Sequence, residues 1–143
     1  MSVLIDSGAT DSFFREFFRC YLRNKKKSSA RIQIADATII RGSCEGTLPA
    51  FAMNTAGNPH TGLGTMFEIP ATIVPEIDQE LIALTHFFEV QGFDVHLRRH
   101  GACEMTRTQE DGCVERIPLR WDAEEKGFYM DIVMTEDESK HSL

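Results

Sequence analysis

Apolar positions in this chain come mostly in short runs broken by polar residues and glycines, the pattern of a strand-rich fold. Val3-Leu4-Ile5 is an aliphatic run that stops on Asp6 and is followed at once by Ser7, Gly8, Ala9 and Thr10. Aliphatic and β-branched residues suit a packed strand, and Gly8 allows a tight turn, so this stretch predicts a buried strand that delivers Asp6 into a loop. Phe13, Phe14, Phe17, Phe18, Tyr21 and Leu22 recur at helical spacings and predict a short helix with an aromatic face, capped by Asp11 or Ser12. Arg23 and Lys25-Lys26-Lys27 then read as its solvated end, where the helix dipole favours cations.

Arg31-Ile32-Gln33-Ile34 alternates as a half-buried strand does, and Ala35-Asp36-Ala37 turns it. A second strand begins at Thr38-Ile39-Ile40 and runs through Gly42 and Gly46 to Leu48, so the two form a hairpin. From Phe51 to Met66 the chain carries Asn54, Gly57, Asn58, Pro59, Gly62 and Gly64 without periodicity, which predicts a long mobile loop, either a lid or a tolerated insertion. Met66 to Ile69 and Ala71 to Val74 flank Pro70 as one bent strand or two short ones. Asp78 to Gln91 has an apolar helical face of Leu81, Ile82, Leu84, Phe87, Phe88 and Val90, and Gly92 terminates it.

The last third predicts strands at Phe93–Leu97, Ala102–Thr106, Val114–Leu119 and Gly127–Met134, with turns at Arg99-His100-Gly101 and Glu110-Asp111-Gly112. Residues 1–134 then form one domain, and Thr135 to Leu143, with its acidic Glu136-Asp137-Glu138, is expected to be a disordered tail. A chain of 143 residues is long enough to bury about two-thirds of its unfolded surface.

A formal charge of −7 and a pI near 5.2 argue against direct nucleic-acid binding through phosphate contacts. Cys20, Cys44, Cys103 and Cys113 are scattered without a Cys-x-x-Cys pair, which excludes the usual structural zinc spacing and fits a reducing compartment. His96 and His100 lie on a strand and a turn rather than on one helix face, so they read as solvated histidines. No stretch has the length of a membrane span and no signal-peptide pattern opens the chain, so an intracellular, cytoplasmic protein without membrane contact is expected.

The chemistry concentrates at Asp6. A lone Asp-Ser-Gly is a common strand-end turn; here an aliphatic triplet precedes it and Ala9-Thr10 follows. In this setting Asp6-Ser7-Gly8-Ala9-Thr10 resembles the active-site motif of the retropepsin-like aspartic proteases, in particular those of copia-type retrotransposon polyproteins. Several later stretches resemble that family in residue type. Ala35-Asp36-Ala37 precedes the hairpin strand, with Ala37 where glycine is expected. Leu81-Ile82-Ala83 precedes a short helix, with Ala83 in place of the glycine of other retropepsins. Gly127-Phe128-Tyr129 resembles the close of the domain.

The resemblance implies a mainly β fold, a closed or partly open barrel with two short helices. It also implies an endopeptidase that needs no metal or cofactor and acts on a peptide or polyprotein. Asp6 would be the catalytic carboxylate, and Ser7, Gly8, Ala9 and Thr10 would support its loop. Leu81, Ile82 and Ala83 would pack beneath that loop, and Gly42 and Gly46 would belong to the flap over substrate. Two carboxylates held side by side share one proton and can serve as general base and general acid.

The sequence carries no second Asp-Ser/Thr-Gly, so the pair requires a homodimer with each Asp6 at the two-fold axis. Only Met1 to Ile5 precede Asp6, where retropepsins carry a further strand that builds the dimer sheet. The alternative is an inactive retroelement-derived relic or interaction domain with the same fold. A small β-rich binding domain in which Asp-Ser-Gly is only a turn is a third reading.

Overall fold

The computed structural model of the chain describes residues 1–33, 37–52 and 65–135. The first half contains β1 (Ser2–Asp6), β2 (Ser12–Phe14), β3 (Arg23–Lys27), β4 (Arg31–Gln33), β5 (Ile39–Arg41) and β6 (Cys44–Ala52). The second contains β7 (Thr65–Ile73), β8 (Leu81–Ala83), β9 (Asp94–His96), β10 (Cys103–Thr108), β11 (Val114–Asp122) and β12 (Gly127–Met134). The two helical pieces are a 3₁₀ turn at Glu16–Tyr21 and a π-helical turn at His86–Val90.

The fold is mainly β. Strands β6, β7, β2, β8, β1 and β12 follow one another in that order, and β12 pairs back onto β6, which closes a six-stranded barrel. Closure gives every strand of the ring two neighbours and puts alternate side chains inside. Val3, Ile5, Phe14, Ile69, Ile73, Ile82 and Met130 fill it. β11, β10 and β9 extend from β12 as an antiparallel wing, and Phe87 and Phe93 seal the core with T-shaped contacts to Phe67.

Several local expectations are overturned by long-range pairing. The helix expected from Phe13 to Leu22 is a strand first: Ser12–Phe14 runs parallel to Ala71–Ile73, and Phe13 faces Leu81. Ser12 does not cap a helix, because its buried Oγ accepts the Ala83 N–H at 3.0 Å. Only Glu16–Tyr21 winds up, packing Phe18 inward. Lys25 to Lys27 belong to exposed strand β3, where Lys26 pairs with Glu45, and not to a helix end.

The helix expected over Asp78 to Gln91 likewise begins as strand β8, and only His86–Val90 is helical. The hairpin is β4 with β5; its second strand breaks after Arg41 and resumes as β6, which runs on to Ala52. β7 is continuous through Pro70, because β2 reaches only Ala71 to Ile73 and leaves the proline an open edge. The four C-terminal strands fall where alternation puts them, with left-handed backbone at Gly101 and Gly112 in the turns.

The expected loop from Phe51 to Met66 lies largely outside the described residues, as do residues 34–36 of the hairpin turn and 136–143 of the tail. Ala37, which stands where glycine is expected, has φ of 68°. A Cβ is disfavoured there, so Ala37→Gly is expected to raise stability by about 0.5 kcal/mol after glycine's larger unfolded-state entropy is subtracted. A urea midpoint that falls instead would show that the turn imposes no strain on alanine.

Candidate active site

β1 is short, so its position depends on its neighbours. On one side it pairs antiparallel with β12, placing Val3 opposite Met130 and Ile5 opposite Phe128. On the other it pairs parallel with β8, placing Leu4 opposite Leu81, Ile5 opposite Ile82 and Asp6 opposite Ala83. The Leu4 amide also donates to the Glu80 carbonyl at 3.2 Å. Val3 and Ile82 are fully buried, so a strand held on both edges ends on a half-buried carboxylate.

β8 lies between β1 and β2 in the sheet, so residues 7–11 arch over the end of β8 to connect its two neighbours. Ser12 Oγ and the Ala83 amide tie the far foot of this arch to β8. At the near foot, Asp6 Oδ1 accepts the Gly8 N–H at 2.8 Å, which orients the carboxylate. A Cβ built on Gly8 would lie 3.4 Å from that oxygen, ordinary contact, so the turn uses the Gly8 amide rather than extra room.

The structure thus gathers Asp6, Ser7, Gly8, Ala9 and Thr10 with Leu81, Ile82 and Ala83 at one end of the barrel. Ser7, Gly8 and Thr10 are exposed, and Ala9 is half-buried. Thr10 donates its hydroxyl to Asp11 at 3.3 Å, so it braces the arch rather than Asp6.

Gly46 lines a cleft of about 520 Å³ together with Asp11 and Ser12, next to the arch. A Cβ at Gly46 would sit 2.5 Å from the Arg23 carbonyl oxygen, so glycine lets β3 cross β6 closely. Gly42 has a related role: a Cβ there would meet Thr72 at 2.5 Å and the Ser28 hydroxyl at 2.7 Å. Both glycines belong to close strand packing in the described residues.

Three supporting residues were missed in the sequence. Ser12 was assigned to a cap. Glu80, buried just before β8 and beside Leu4, pairs with Arg15 through Nε at 2.6 Å and Nη2 at 2.7 Å. That pair raises the Arg15 pKa through the hydrogen bond and charge of Glu80. The residues of this pair are far apart in the chain, and no local pattern signals it. His96 hydrogen-bonds Thr106 at 3.1 Å within the wing.

No family model, curated protein or solved structure matches the chain. The functional reading therefore rests on the motif and its geometry. Among the described residues, no helix is long and apolar enough to cross a membrane.

Proposed function

We propose that this protein is an aspartic endopeptidase of the retroelement type, in which two copies each contribute Asp6 to one catalytic pair. The observation that carries the reading is the placement of Asp6: at the end of a doubly paired strand, oriented by the Gly8 amide, on an arch that spans β8. A catalytic carboxylate needs this combination of rigid delivery and an open face.

In the dimer one carboxylate, ionised, takes a proton from water as the water oxygen attacks the scissile carbonyl. The other, protonated, gives its proton to that carbonyl oxygen. Collapse of the tetrahedral intermediate passes a proton to the leaving amine and regenerates the pair. The substrate is a peptide or polyprotein segment in extended form.

One observation favours the non-catalytic alternative, an interaction domain. A groove of about 950 Å³, lined by Met1, Phe17, Tyr21 and Val133 among others, lies by the start of β1, away from Asp6, and Phe17 is 70% exposed beside it. The two readings separate by concentration. A dimeric peptidase is expected to cleave a mixed peptide library at mildly acid pH with a rate that rises as the square of protein concentration below the dimer dissociation constant. Sedimentation under the same conditions locates that constant. Cleavage that stays linear while the protein sediments as a monomer would sink the paired-carboxylate mechanism, and an inert dimer would favour the interaction domain.

A further inference from the structure

We propose that the groove between the β9–β10 turn and the β11–β12 hairpin docks an acidic linear peptide that presents a bulky apolar side chain beside a carboxylate. This surface does not depend on the chemistry of Asp6. The cavity is about 680 Å³, within the range of small-ligand sites, and its floor is Leu97, Leu119, Trp121 and Phe128. Trp121 is 53% exposed and Leu97 52%, while the Trp121 and Phe128 rings meet at 5.0 Å and leave one aromatic face open. That arrangement is an incomplete stack, ready for one more large apolar group.

The rim supplies the charge argument. Arg15, Arg19, Arg23, Arg107, Arg116 and Arg120 each pair with a carboxylate of this chain. Arg98 and Arg99, which line the groove, have no carboxylate partner among the described residues. The Arg98 guanidinium donates to the Ala102 carbonyl at 2.9 Å. These two guanidinium groups, on the β9–β10 side of an apolar floor, suit a carboxylate held on that side, away from the acidic turn at Asp122, Glu124 and Glu125, and the arginine fork can bind it through paired hydrogen bonds.

The turn is pre-organised as well. Cys103 Sγ accepts the Arg98 N–H at 3.3 Å and donates to the Arg98 carbonyl at 3.2 Å, so binding does not have to order it.

Trp121 is the only tryptophan, so its emission reports on the groove directly. The full chain carrying Asp6→Asn, used so that cleavage cannot interfere, is titrated with blocked hexapeptides built on Glu-Phe-Glu, Lys-Phe-Lys or Glu-Ala-Glu. The expected result is a saturable blue shift with Glu-Phe-Glu and affinity at least about tenfold weaker for the other two. Arg98→Glu with Arg99→Glu is expected to lose Glu-Phe-Glu binding by a similar factor and to prefer Lys-Phe-Lys, with an unchanged circular dichroism spectrum. The proposal is overturned by equal binding of the Lys and Glu peptides or by no saturable shift. It is equally overturned by tighter binding of oligothymidylate, or by a shift that follows protein concentration alone and so marks a second copy as the occupant.

Discussion

Asp6→Asn is expected to lower peptide cleavage by on the order of a thousandfold or more while leaving the thermal midpoint nearly unchanged. The amide is close to isosteric with the carboxylate, and its Oδ1 can still accept the Gly8 N–H that orients Asp6 at 2.8 Å. β1 keeps its pairing with β8 and β12, because those hydrogen bonds are backbone. What disappears is the ability to take or give a proton, and in a homodimer it disappears from both halves of the pair. An excess of the Asn chain mixed with wild type is expected to draw active subunits into inert mixed dimers and suppress cleavage in proportion. Undiminished hydrolysis by the Asn variant would remove Asp6 from the mechanism and leave the arch as architecture.

The largest stability effect is expected at Arg107, where truncation to alanine should cost about 3–5 kcal/mol in a denaturant titration. Glu115, which is buried, receives Arg107 Nε at 3.0 Å and Nη2 at 2.9 Å on one oxygen, and the Thr65 hydroxyl at 2.6 Å on the other. Arg107 also lies 4.5 Å above the Phe93 ring and donates to the Gln91 carbonyl at 2.9 Å, so it joins the wing to the chain beyond the π-helical turn. Without the guanidinium, only the hydrogen bonds from Thr65 and Gln109 face a charge taken out of water.

The pH dependence of stability should weaken with this substitution. Burial on its own pushes the Glu115 pKa up, but hydrogen bonds from Thr65, Gln109 and Arg107, with the Arg107 charge, outweigh it and hold the carboxyl below its usual 4.5. The folded protein then binds that proton less readily than the unfolded chain. Its contribution is fully present above the unfolded value and is lost as pH falls through the folded one. With Arg107 removed, burial is still opposed by the Thr65 and Gln109 hydrogen bonds, so the folded pKa should rise toward the unfolded one. The variant should therefore fall further behind wild type in stability as pH rises through the carboxylate range toward about 5. A stability difference that is flat across that window would show Glu115 to be solvated despite its burial.

The chain's local pattern was enough for β1, the hairpin strands, β7 and the four C-terminal strands. Val3 to Ile5 reads as a packed strand because every residue in it is aliphatic. The C-terminal strands were legible because alternation and the glycines at 101 and 112 are local signals of pleat and turn. The Asp6 motif was visible for the same reason, since its strand, acid, glycine and small residues are contiguous. Mainly β character follows from these elements, while the barrel was implied only by the resemblance.

What local spacing could not settle was the state of segments whose apolar residues satisfy more than one period. Phe13 and Phe14 fit a helix face until Ala71 to Ile73 offer a parallel edge. Leu81 to Ala83 fit another helix until β1 and β2 flank them on both sides. The free energy that decides between helix and strand there comes from hydrogen bonds and burial between residues some 60 to 80 positions apart. For the same reason the Arg15–Glu80 pair, the Ser12 hydroxyl under the arch, the Arg107–Glu115 network and the exposed Trp121 face exist only once the barrel has closed. The sequence by itself marked the candidate residue and most of the strands. Tertiary structure alone decided what holds that residue in place, because the groups that hold it are neighbours in space and strangers along the chain.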